Sequence, residues 1–491
     1  MNTKECEMDT PIRLFAFDFT GPAHLSAGLW RHPKDRGDEY TSVRYWTEYA
    51  TMLENAGFDG IFFADNVGYH DVYKGSVKDA LKDGAQLPAN DPTYVIPAMA
   101  AVTSRLGFGV TASTTYENPY SLARKFTTLD HLTDGRVGWN VVTSYSDSAA
   151  RNHGMGEHHL GHEERYARAE EFIDVTLKLW EGSWEDDAAP ADRSNGMYAD
   201  PDKIHPVEHR GEHFSVPGIH LCEPSRQRTP VIFQAGGSSR GTELAAQTAE
   251  AVFMNATSKA GLKKQVDNLR HRAAENGRDP KNIAVLQMIT VISAATDEEA
   301  ERKAQEYLSY VSYDGAMARY SGWSGLDMDT FDPDVPLANV NTNAGQTMVD
   351  LFSKMDPTKE WTPRDIAEYI GLGGTSPVIV GGPATVADEL QSWIDETGID
   401  GFNLAHAVAY QDVSDFAEHV VPELVDRGLM RTPGEDTSLR AALFGGTSDH
   451  LRSDHPGAKY RRTTVSPQGA DTHPNQLATA PAPQALSTAG S

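Results

Sequence analysis

The 491-residue chain has two cysteines, Cys6 and Cys222. Two distant thiols build neither a disulfide framework nor a four-thiolate metal site, so a reducing compartment is expected. Positive charge is also scarce: Lys+Arg 43 stand against Asp+Glu 70, a net charge of -27. That field repels phosphate backbones and anionic lipid, and no nucleic-acid or membrane partner is expected. No apolar run approaches the roughly 18 residues of a membrane span, and MNTKECEMDTP lacks the basic and apolar regions of a signal peptide. A cytoplasmic protein is expected. There is no Walker A sequence, no G-x-G-x-x-G fingerprint and no H-E-x-x-H pair, so neither a dedicated dinucleotide domain nor a zincin site is expected.

What is present is alternation. Short runs rich in β-branched and aromatic residues recur with helical stretches between them. Strands are predicted at Ile12–Phe19, Gly60–Asp65, Leu106–Ser113, Val137–Thr143, Val231–Ala235, Ala251–Asn255, Ile283–Val291 and Gly401–Ala405. Eight βα units predict an α/β fold, a closed (β/α)8 TIM barrel. Thr41 or Ser42 can cap a helix burying Val43, Trp46, Ala50, Leu53 and Ala56, closed by Gly57. Asn118-Pro119 opens a second, with Tyr120, Ala123, Phe126, Leu129 and Leu132 on its inner face. A third should bury Tyr166, Ala169, Ile173, Thr176, Leu177 and Trp180. Residues 1–11 read as a flexible start, 12–462 as the barrel, and 463–491, nearly free of large apolar residues, as a disordered tail. Residues 182–229 and 313–383 do not fit the repeat and read as insertions at the carboxyl ends of strands, where a barrel builds its active site.

Several residues could carry chemistry. Gln234-Ala235-Gly236-Gly237-Ser238-Ser239-Arg240-Gly241 lies between a strand and a helix, where freed amides, two hydroxyls, the Arg240 guanidinium and the helix terminus would together cradle a phosphate. A plain flexible turn is the other reading. His153, His158, His159 and His162 cluster without metal-ligand spacing, and a solvated loop is expected instead of a metal site. Asp65 and Asn140 are polar at positions that otherwise read as buried, so each needs a ligand or a hydrogen-bonding partner. His24 and Tyr145 lie just beyond the first and fourth strands, where active-site loops begin.

Beyond these local features, the order of longer stretches matters. GLWRHP (Gly28–Pro33), ADNVGYHDVYKGS (Ala64–Ser76), TLDHLTDGRVGWNVVTSY (Thr128–Tyr145), HEERYARAEEF (His162–Phe172) and HLCEPSRQRTPVIFQAG (His220–Gly236) occur in the order found in the bacterial luciferase-like flavin-dependent monooxygenases. The sequence resembles the branch that holds nitrilotriacetate, dibenzothiophene sulfone, long-chain alkane and dimethyl sulfide monooxygenases, from about Ile12 to Arg462. The resemblance implies reduced FMN (FMNH2) as cofactor, O2 as co-substrate, and a separate NAD(P)H:FMN reductase as partner of a two-component system. It also implies a homodimer or homotetramer. Asp65, Asn140, Ser144 and Tyr166 match family positions around the flavin, and Gly237 and Ser238 match its phosphate loop.

For the substrate, the chain departs from its alkane-oxidising relatives, with Gly21 where they have cysteine and Tyr145 and Arg319 where they have histidines. VYKGS, AQLPANDP and Tyr145 resemble the dimethyl sulfide enzyme more, although that enzyme too carries the cysteine. A small thioether is expected, with His24, Gln86 and Tyr145 as candidate catalytic and pocket residues. A sulfone, aminopolycarboxylate, alkane or heterocycle is the alternative, and outside oxygenases a coenzyme F420-dependent dehydrogenase.

Overall fold

A computed structural model describes residues 11–235, 237–337, 352, 359–430, 437–446 and 448–462. The expected flexible start, apart from Pro11, and the expected tail at 463–491 lie outside the described residues. Eight parallel strands form the wall: β1 (Arg13–Phe19), β2 (Gly60–Ala64), β3 (Gly107–Ser113), β4 (Val137–Val142), β5 (Val231–Gln234), β6 (Ala251–Met254), β7 (Ala284–Ser293) and β8 (Gly401–Ala405). Each pairs with the next in chain order, and β8 pairs back onto β1 with Arg13 opposite Gly401. The barrel is therefore closed, as the eight-unit alternation predicts. A short strand, Val378–Gly381, extends the wall by pairing beside the end of β7.

Alternation along each strand sends one set of side chains outward to the helices and the other into the barrel. The outward set, including Leu14, Ile61, Phe108, Trp139 and Phe402, joins the main core. Inside, Phe15, Phe62, Phe233 and Phe253 pack together, with Phe62 and Phe253 rings 3.9 Å apart between centroids. The wall makes room for them with glycine. A Cβ on Gly60 would lie 2.5 Å from Phe15, on Gly109 2.7 Å from Phe62, and on Gly138 2.3 Å from Phe233. Aromatic packing thus plugs the barrel and leaves its carboxyl-terminal mouth as the place for a site.

The helix Pro119–Thr133 starts as predicted, with the Asn118 side chain accepting from the Tyr120 and Ser121 amides. Its inner face is set differently: Leu122, Ala123, Phe126 and Leu129 are buried, whereas Leu132 is 60% exposed. In the helix Val43–Asn55, Tyr45 and Tyr49 take inner positions and Val43 is exposed. Ser42 holds the N-cap position without a side-chain capping bond. For Leu132 the cause is helix periodicity: positions spaced strictly by three drift about 60° around the helix at each step, so Leu132 leaves the face shared by Leu122, Phe126 and Leu129. The helix His162–Gly182 buries Ala169, Ile173, Thr176, Leu177 and Trp180 as expected, with Tyr166 only partly buried near its start.

Residues 182–229 carry a two-residue-per-strand hairpin, His209–Arg210 with Ser215–Val216. Among the described residues, 313–383 contribute the helices Tyr313–Ser324 and Pro363–Gly371 and the strand Val378–Gly381. The same described residues include no helix long and apolar enough to cross a membrane.

Candidate active site

Parallel strands bring their carboxyl ends, and the loops that follow, to one rim. Asp65 follows β2, Ser113 ends β3, Ser144 follows β4, and Ser238 follows β5. Asn140 sits on β4 opposite Thr111 of β3, to whose Oγ1 its Nδ2 donates at 2.8 Å. The other end of that amide, Oδ1, is buried without a hydrogen-bond partner. Ser144 is held at φ 51, a turn that directs its Oγ to donate to Ser113 Oγ at 2.9 Å. Asp65 is partly buried, and burial, reinforced by the charge of Asp91, raises its carboxyl to about 7.

The predicted phosphate loop lies on this rim. Ser238 caps the helix Ser239–Thr248, its Oγ accepting from the Gly241 amide at 3.0 Å. The Tyr166 hydroxyl reaches the same Oγ at 3.3 Å. Gly237 is exposed, and a Cβ there would meet nothing within 4 Å. Gly236 lies outside the described residues. Arg240 corrects one detail of the sequence reading: it is held by Glu170 at 2.8 Å and Glu163 at 3.5 Å. Its charge is largely spent on two carboxylates, so amides, hydroxyls and the helix terminus are the available anion ligands.

Across the mouth the three candidate catalytic residues separate in character. His24 is buried against Phe17 and Phe19, with ring centroids 4.4 and 5.7 Å away. Its Nδ1 has no partner, and burial, then the nearby His406 and Arg319, depress its pKa, so it is neutral. Gln86, at φ 54, accepts at Oε1 from His70 Nε2 at 3.0 Å. Tyr145 is 51% exposed, yet loss of solvation among surrounding atoms raises its phenol to about 12.

Sequence reading missed His70. It is buried, burial lowers its pKa to about 4, and it packs so closely on helix Tyr313–Ser324 that a Cβ on Gly322 would lie 2.0 Å from its Nδ1. The loop position of His70, six residues past β2, carried no periodic signal. His406 and Trp323 were missed as well. His406 follows β8 with its ring 6.4 Å from that of His24, and Trp323 packs on Leu25, Met288 and Ala405.

The residues of the histidine cluster each find a protein partner. His158 and His159 both bond Asp147, His153 bonds the Ala149 carbonyl, and His162 bonds Glu163. The metal-competent grouping among the described residues, Asp415, Glu418 and His419, lies on the outer helices.

A closed βα barrel whose rim gathers a serine-capped helix N-terminus and buried, unpartnered amide and imidazole atoms defines the class: an enzyme of the (β/α)8 type. Comparison then fixes the family. Residues 24–401 match the luciferase-like monooxygenase model, and the chain belongs to that family. It is a flavin-dependent monooxygenase. It is 48% identical over 480 residues to the dimethyl-sulfide monooxygenase of Hyphomicrobium sulfonivorans, covering 97% of this chain and 100% of that one. The crystal structure of that enzyme superposes with a TM-score of 0.88, covering 92% of this chain and 96% of that one. The long-chain alkane monooxygenase of Geobacillus thermodenitrificans is 44% identical over 92% of this chain and 99% of its own. A riboflavin lyase crystallised with modified FMN and riboflavin is 35% identical, with a TM-score of 0.85 over 92% of this chain and 100% of that one.

Proposed function

We propose that the chain is the oxygenase component of a two-component system, taking reduced FMN from a separate NAD(P)H:FMN reductase and oxygenating a small thioether such as dimethyl sulfide. The observation that carries this reading is the end-to-end 48% identity to a dimethyl-sulfide monooxygenase. Identity of this extent over the whole chain leaves the same elements to build the pocket.

The rim fits FMN. Exposed Gly237, with open space where a Cβ would be, admits a phosphate close to the backbone, and the Ser238 and Tyr166 hydroxyls stand beside it. The unpartnered Asn140 Oδ1 is an acceptor for a ring N–H of the cofactor, and Ser144 and Asp65 would flank the same ring system. Bound reduced FMN would supply the electrons that activate O2, one oxygen atom passing to the substrate and the other leaving as water.

The protein's own work is to bind, orient and exclude water. Phe17 and Phe19 keep His24 in an apolar setting, where the neutral imidazole can donate or accept one hydrogen bond at the reacting oxygen. The Tyr145 phenol, protonated at any physiological pH, is a donor. His70 fixes the Gln86 amide through its Oε1, which leaves the NH2 group free of that bond.

Oxygen uptake with NADH, FMN, an unrelated reductase and dimethyl sulfide tests the reading. We expect product in proportion to substrate with little hydrogen peroxide, and in His24→Ala a shift of oxygen use toward peroxide. Peroxide alone, at the rate of the reductase and with every thioether, would sink it.

A further inference from the structure

Arg319 is a charge without a counter-charge. Its side chain is fully buried, and among the described residues no Asp or Glu pairs with it. Of its five N–H groups, one donates to the Ile370 carbonyl at 2.8 Å and another reaches the His24 carbonyl at 3.4 Å. Nε has no partner. The guanidinium lies over the Trp323 ring, 4.8 Å from its centroid, and burial lowers its pKa to about 9, so it stays charged near neutrality.

Its position is as informative as its isolation. The helix Tyr313–Ser324 sets Arg319, Gly322 and Trp323 on one side, three and four residues apart. Gly322 abuts His70, Trp323 packs on Leu25, Met288 and Ala405, and Arg319 meets His24. All are groups at the barrel mouth. Buried charges are normally paired, and an arginine held here satisfies its remaining donors with an oxygen anion in planar, two-point fashion.

We propose that Arg319 is a specificity-determining residue, and that among small thioethers this site prefers those that carry an anionic oxygen group, in the simplest case a carboxylate, which pairs with its guanidinium. This rests on the thioether-oxygenase reading above. The guanidinium is closed off from solvent with half-buried Trp323 stacked against it, and an anion paired there would leave the sulfur toward His24.

The test compares 3-(methylthio)propionate with its methyl ester, the same thioether with the charge removed, in the coupled reaction with reduced FMN. We expect kcat/KM for the acid to exceed that for the ester by about tenfold or more, the scale of one charge-assisted contact. Arg319→Gln should lower the acid's value more than the ester's and bring their ratio toward one, and Arg319→Lys should restore part of it. Equal values for acid and ester in the wild type would overturn the proposal whether or not the variants fold. Oxidation of dimethyl sulfide and the ester but not of the acid would overturn it while leaving the thioether oxygenase intact. Failure to oxidise any thioether would take both down together.

Discussion

The Tyr166 hydroxyl meets Ser238 Oγ at 3.3 Å, joining the first turn of one helix to the N-cap of another across 72 residues of sequence. The pair places two hydroxyls beside an exposed helix N-terminus, with Gly237 next to them.

Gly237→Ala separates ligand from fold. Among the described residues no atom lies within 4 Å of the added Cβ, so thermal stability should be unchanged. A phosphate drawn against the backbone would collide with the methyl group. FMN affinity, measured by flavin fluorescence quenching, should fall about tenfold. An unchanged Kd would place the phosphate elsewhere.

Asp65 predicts a pH dependence of stability. Its folded pKa is raised to about 7 from the ordinary carboxylate value, so the folded state holds the proton more tightly than the unfolded state. The stabilising contribution is therefore present at low pH and is lost as pH rises from about 4 to about 7. Asp65→Asn should leave stability at pH 5 near the wild type and raise it at pH 8 by on the order of 1–3 kcal/mol, after allowance for partial exposure. Asp35, also raised to about 7 by burial, retains its share of the slope in the variant. Denaturant melts at the two pH values decide it, and an equal wild-type advantage at both would refute the assignment.

Gly322 tests the helix that closes on the mouth. A Cβ would sit 2.0 Å from His70 Nδ1, so Gly322→Ala must push the imidazole away and break its 3.0 Å bond to Gln86. The protein should still fold, at a cost of about 1–3 kcal/mol typical of local overpacking. Substrate KM should rise several-fold and peroxide release should increase. Wild-type coupling in a folded variant would remove the His70–Gln86 pair from the pocket.

Much of this molecule is legible in its residues. All eight strands begin and end within two residues of their predicted limits because alternating apolar runs bounded by glycine and polar turns encode a two-sided buried wall. Asn118-Pro119 encodes a helix start in the same local way, through one side-chain oxygen and one fixed φ. Local chemistry also marks the start of the helix Ser239–Thr248, since a glycine, a capping serine and the following helix are neighbours in sequence. The ordered motifs carry the family and its flavin chemistry.

Tertiary structure decided what depends on distance across the chain. Only barrel closure brings β8 beside β1 and so His406 beside His24. Only the docking of helix Tyr313–Ser324 over the mouth turns Arg319, an ordinary arginine in sequence, into a buried charge with no carboxylate beside it among the described residues. Charge, burial and pairing are properties of surroundings, and those surroundings are assembled by residues hundreds of positions apart.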